Sequence, residues 1–149
     1  MSFIYVDGDA CPVKDEVYRV ALRHDLKVFV VSDAPLRASA PGRVEFIRVK
    51  QGFNAADDWI AERAAAGDVV VTADIPLAAR CLERGARVVS PTGKEFTEDS
   101  IGNALATREL MDQLRAMGEV TGGPKPFARS DRSRFLSRLE DILQALKRS

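Results

Sequence analysis

Phe3-Ile4-Tyr5-Val6-Asp7-Gly8-Asp9-Ala10-Cys11-Pro12 joins a short apolar run to two aspartates and a proline. A counterpart lies at Val69-Val70-Val71-Thr72-Ala73-Asp74-Ile75-Pro76. Each passage reads as a buried strand, an acidic strand end and the start of a helix. Proline suits that start because the first helical N–H has no intrahelical partner to lose. Working outward, apolar runs at 27–31, 44–49 and 87–90 add three strands to those at 3–6 and 69–72. Their Val, Ile and Phe content suits strands covered on both faces of a parallel sheet. Helical patterns fall at 12–24, 54–66, 76–84, 99–117 and 131–147, with Gly67 and Gly85 placed to stop two of them. This alternation predicts an α/β fold: one doubly wound, mainly parallel five-stranded sheet flanked by helices, Rossmann-like and three-layered, with a C-terminal helical extension.

The 149 residues suffice for one domain with a real core, so 1–149 is read as a single unit. Net charge is zero, which excludes a general affinity for polyanions, but the charge is uneven. Residues 119–149 carry seven Lys/Arg against four Asp/Glu, whereas 1–118 carry fifteen against eighteen. The basic tail comprises a linker at 120–130, with Gly122, Gly123, Pro124 and Pro126, and an amphipathic helix. That helix aligns Phe135, Leu136, Leu139, Ile142, Leu143 and Leu146 on one stripe, which must dock on the body or form a homo-oligomer. Two cysteines are too few for a disulfide framework or a zinc site. Cys81 falls in an apolar helical pattern and reads as core. Cys11 sits near a helix start, where thiol pKa falls, but the single histidine, His24, lies at the far end of that helix. With no signal-like opening and no run near the roughly 20 apolar residues of a membrane span, the expectation is a cytoplasmic protein without membrane contact.

In an open α/β sheet, ligands bind beyond the carboxyl ends of the strands. Asp7, Asp9 and Asp74 are expected there. Asp7 and Asp9 point the same way if the strand continues that far. Gly52-Phe53-Asn54-Ala55-Ala56-Asp57-Asp58-Trp59-Ile60 adds two more carboxylates on a helix whose buried stripe is Phe53, Ala56, Ile60 and Ala64. Asp57 lies on the margin of that stripe, with Asn54 on the same side; Asp58 faces solvent. A simpler role exists for Asp74, and for one of Asp7 and Asp9, as helix caps. Carboxylates gathered without a cationic partner repel, and Mg²⁺ or Mn²⁺ relieves that repulsion. Asp7, Asp9, Asp57 and Asp74 are therefore the candidate catalytic and metal-binding residues. Thr72, Asn54, Lys94, Arg132 and Arg134 are the candidate substrate contacts, the arginines because forked donors suit phosphate. Ser90-Pro-Thr-Gly-Lys94 also reads as a plain turn. The chain has no GxGxxG, GxxxxGK[ST] or GxSxG, so dinucleotide, P-loop and hydrolase-elbow readings lack their key loops.

VDGDACP (6–12), GFNAADD (52–58), VVVTADIPLAARCLERGARV (69–88) and the tail segments GGPKPF (122–127) and SDRSRF (130–135) together resemble the uncharacterised bacterial YaiI/YqxD family over nearly the whole chain. That family is grouped with PIN-like domains, whose nucleases use acidic residues at the carboxyl edge of a parallel sheet to bind Mg²⁺ or Mn²⁺ and cleave RNA. The resemblance implies that Asp7, Asp9, Asp57 and Asp74 correspond to that cluster. The family tends to carry Asp at the position of Asn54 and Ala at that of Gly8. The functional expectation is a metal-dependent, RNA-cleaving nuclease. A second reading is a non-catalytic module that binds nucleic acid or protein and keeps a vestigial acidic site. A lesser one takes Asp7 and Asp9 as the motif of a haloacid-dehalogenase-like phosphatase, with Ser32 binding phosphate.

Overall fold

Branched apolar side chains in short runs have one good environment, a strand covered on both faces. Ile4, Val6, Val28, Val30 and all three residues of Val69–Val71 are fully shielded from solvent. The computed structural model describes residues 2–9, 11–35, 42–50, 52, 54–118 and 126–148. In chain order its elements are β1 (Phe3–Asp7), α1 (Lys14–His24), β2 (Lys27–Ser32), β3 (Val44–Arg48), α2 (Ala55–Arg63) and β4 (Val69–Val71), followed by α3 (Ile75–Glu83), β5 (Arg87–Val89), β6 (Glu95–Phe96), α4 (Glu98–Ala116) and α5 (Arg129–Arg148). The strand order is β3-β2-β1-β4-β5-β6, parallel throughout except for the antiparallel β5–β6 pair.

The α/β, mainly parallel architecture is as expected, with a sixth strand added. Two residues carry no readable period, so β6 was invisible in the sequence. It arises because Ser90-Pro-Thr-Gly-Lys94 closes a hairpin: Ser90 N–H donates to the Lys94 carbonyl at 2.8 Å, and Gly93 adopts φ +90°. The first helix begins at Lys14 rather than Pro12. The second ends at Arg63, before Gly67: Ala64 turns extended, with ψ 138°, and the Ala65 N–H donates to Asp68 Oδ2 at 3.0 Å instead of back into the helix. Arg84 donates to the carbonyls of Ala64 at 2.7 Å and Glu62 at 3.1 Å.

The sheet separates two cores. On one face, α1 and α5 bury Val17, Val20, Phe135, Leu139 and Ile142 against Ile4, Val6, Val28 and Val71. On the other, α2 and α3 bury Ile60, Leu77 and Cys81 against Tyr5, Val70 and Val88, with Ile101 and Ala104 of α4 packed alongside. Each fully buried Leu, Ile or Phe contributes about 1.5–3 kcal/mol. The apolar stripe of α5 is thus spent on the body. Arg132 reinforces it by donating to Glu16 at 2.9 Å and to the Pro12 carbonyl at 2.8 Å. Phe53 and residues 120–125 of the linker lie outside the described residues. No helix among the described residues is long and apolar enough to cross a membrane.

Candidate acidic site at the sheet edge

The strand order turns back between β1 and β4, the place where doubly wound sheets open a crevice at their carboxyl ends. Asp7 is the last residue of β1, and Thr72 follows β4 directly. The Thr72 hydroxyl donates to Asp7 Oδ2 at 3.0 Å and accepts the Asp74 N–H at 3.0 Å. One side chain therefore links the two strand ends. Burial raises the pKa of Asp7; the Thr72 hydrogen bond offsets part of this, and the charges of Asp9 and Asp74 add to the rise.

Asp9 is differently held. The β1 strand stops at Asp7, although Gly8 N–H still reaches the Val31 carbonyl at 2.7 Å. A Cβ on Gly8 would lie 2.9 Å from that carbonyl oxygen, so the turn is pressed against β2. Asp9 then accepts a hydrogen bond from Ser32, at the end of β2. Asp7 leans toward β4 and Asp9 toward β2, because the extended conformation needed for a shared direction has ended between them. Neither caps α1, whose N-cap position is Val13 and has no side-chain cap. Asp74 does cap its helix: its Oδ1 accepts the Leu77 N–H at 2.9 Å.

Asp57, on the first turn of α2, is half-buried and has its pKa raised to about 6, by burial first, then by the charges of Asp74 and Asp7. Arg80 offsets only part of this, since its guanidinium is paired with the exposed Asp58 at 2.7 Å. Asn54 sits at the α2 N-cap with a left-handed backbone, φ 63°, and its side chain makes no capping bond. The charge of Asp74 acts on both Asp7 and Asp57, and that of Asp7 acts on Asp57, which marks the three as electrostatic neighbours. Even so, among the described residues no three carboxylate, imidazole or thiol groups converge closely enough to ligate one ion as they stand. In donor type and in uncompensated charge the site fits a hard divalent cation; in geometry, Ser32, Thr72 and the α3 cap hold its oxygens apart.

The remaining candidates divide. Arg134 is bonded to Asp131, and Lys94 has an exposed side chain on the β5–β6 hairpin; both line an open cleft of about 600 Å³. Arg132 is occupied within the α1–α5 interface. Ser32 bonds both Asp9 and the Ala34 N–H, and its part in orienting Asp9 could not be read without the β1–β2 register. Burial pushes the thiol of Cys11 up, and that of Cys81 up to about 12, which suits packing rather than nucleophilic work.

The family model described as "Uncharacterized BCR, YaiI/YqxD family" matches residues 5–145. The chain belongs to the YaiI/YqxD family. Relatives within it carry the name UPF0178 protein. One from Rhodospirillum centenum is 56% identical over 152 residues, covering 99% of each chain. One from Bradyrhizobium diazoefficiens is 59% identical, covering 97% of this chain and 87% of its own. A third, from Rhodopseudomonas palustris strain BisB18, is 57% identical, covering 98% and 94%. No solved structure gives a significant match. The motif-bearing stretches 6–12, 52–58 and 69–88 all lie inside the matched region.

Proposed function

We propose that this protein is a divalent-cation-dependent hydrolase of phosphodiesters, with RNA as its substrate class. The observation that carries the reading is the Asp7–Thr72–Asp74 linkage at the β1/β4 switch point, flanked by Asp9 and by an Asp57 of elevated pKa. The PIN-like grouping implied by the family resemblance points the same way.

In this reading Asp7, Asp9 and Asp74 hold Mg²⁺ or Mn²⁺ after turning from their present partners. When bound, the cation supplies a water of lowered pKa and positive charge for the developing oxyanions. Until the cation binds, Thr72 ties the β1 and β4 strand ends together and Ser32 holds Asp9 on the β2 side. Asp57 has the pKa best suited to accept a proton from the attacking water at neutral pH, because a general base works best when poised near the ambient pH. Its carboxylate is uncharged more often below pH 6, so activity falls there.

The test is cleavage of single-stranded RNA in Mn²⁺ by Asp7→Asn, Asp9→Asn and Asp58→Asn. The first two lose activity by at least about 100-fold with unchanged circular dichroism, whereas Asp58→Asn retains it. Full activity in Asp7→Asn and Asp9→Asn would sink the assignment. The open arrangement of the donors favours one second reading, a binding module with a vestigial site. It predicts RNA binding that survives both EDTA and Asp9→Asn, with no cleavage under any metal.

A further inference from the structure

An open cleft of about 630 Å³ lies between the β5–β6 hairpin and α4. It starts beside the acidic crevice, for Ala73 and Ile75, the two chain neighbours of Asp74, both line it. Its charge is one-sided: among the described residues Lys94, Arg108 and Arg115 border it, and no carboxylate does. This is notable in a chain of zero net charge whose first 118 residues are net acidic. Arg108 and Arg115 share Asp112, at 3.7 and 3.5 Å, so two guanidinium groups divide one carboxylate outside the lining. The floor includes the apolar Phe96 and Met111, and Asn103 supplies an amide able to both donate and accept.

The geometry points to this cleft as the seat of one nucleotide of a single-stranded nucleic acid, the unit next to the phosphodiester lying at Asp7 and Asp74. Cationic rim, apolar floor and a neutral amide match phosphate, base face and base edge respectively. The volume falls within the range of small-ligand sites. The other cleft that Lys94 lines is the weaker candidate, because Asp131 lines it and Arg134 is already bonded there. This inference rests on the phosphodiesterase reading for the identity of its ligand, and it is tested without turnover.

The probe is a fluorescein-labelled single-stranded oligoribonucleotide about eight nucleotides long, titrated with the full chain in EDTA and followed by anisotropy at several salt concentrations. Lys94→Ala and Arg108→Ala, both at exposed positions, each weaken binding about fivefold and lower the salt slope by about one. Asn103→Ala weakens binding and leaves the slope unchanged. Arg19→Ala, an exposed cation on α1, binds like the parent. Wild-type affinity in both Lys94→Ala and Arg108→Ala would overturn the proposal, as would an equal loss in Arg19→Ala or tighter binding of duplex RNA. Cleavage retained in Asp7→Asn would remove the hydrolase reading while leaving these binding results to stand or fall alone.

Discussion

Asp57 shows how burial and like charge act on a single residue. Its pKa rises from 3.8 to about 6 on folding, so the folded state resists ionisation more than the unfolded chain does. The penalty is absent below pH 3.8 and complete above about 6, and metal-free stability is lost as pH rises through that window. Asp57→Asn removes the penalty. Thermal denaturation in EDTA is therefore expected to find the variant gaining on the parent as pH rises from 4 to 7; a gap that does not change with pH would contradict the account. Asp74 separates capping from ligation. Asp74→Asn keeps a good N-cap and costs a few tenths of a kcal/mol, whereas Asp74→Ala costs about 1 kcal/mol. Both lose activity if the carboxylate serves the cation, and only the alanine variant melts measurably earlier. At this scale the strand-end aspartates were legible, because an apolar run followed by Asp needs no partner to be recognised. Ser32 and the Arg132 bonds were not, since each depends on which elements become neighbours.

Among the elements, α5 depends on one close approach. A Cβ on Gly93 would fall 2.6 Å from the Arg134 backbone carbonyl carbon and 2.8 Å from the Phe135 N, and Gly93 has φ +90°. Gly93→Ala is expected to destabilise by about 1–3 kcal/mol through displaced backbone, measured by urea unfolding. Phe135→Ala, which empties a fully buried site under the same helix, costs about 3–5 kcal/mol. Loss of less than 1 kcal/mol in Phe135→Ala would mean that α5 is not docked as described. The stripe on α5 announced a buried face, and the choice between body and partner needed the fold. Strands of Val and Ile were readable for the same reason that β6 was not: periodicity needs several residues, and a two-residue strand is made by its turn. The end of α2 falls earlier than its helical pattern suggests because Asp68 takes the Ala65 N–H, and Arg84, twenty or more residues away, satisfies carbonyls left open there.

For the molecule as a whole, the strand order converts separated sequence motifs into one edge. Asp7 and Thr72 are 65 residues apart and share a hydrogen bond because β1 and β4 are adjacent. Around that edge the charge is arranged in two zones, carboxylates at the switch point and Lys94, Arg108 and Arg115 along the cleft beside it, although the chain sums to zero. If the acidic zone takes a cation as proposed, affinity for Mn²⁺ is expected to rise with pH through about 6, the value to which the Asp57 pKa is raised, because binding selects the ionised carboxylates. The most direct measurement is anomalous scattering at the manganese edge from crystals soaked in millimolar Mn²⁺ at neutral pH, for the parent chain and for Asp7→Asn. The account predicts a peak bounded by Asp7, Asp9, Asp57 and Asp74 in the parent and none in the variant. Density without a peak in the parent, with Asp9 still on Ser32 and Asp74 still capping α3, would contradict it.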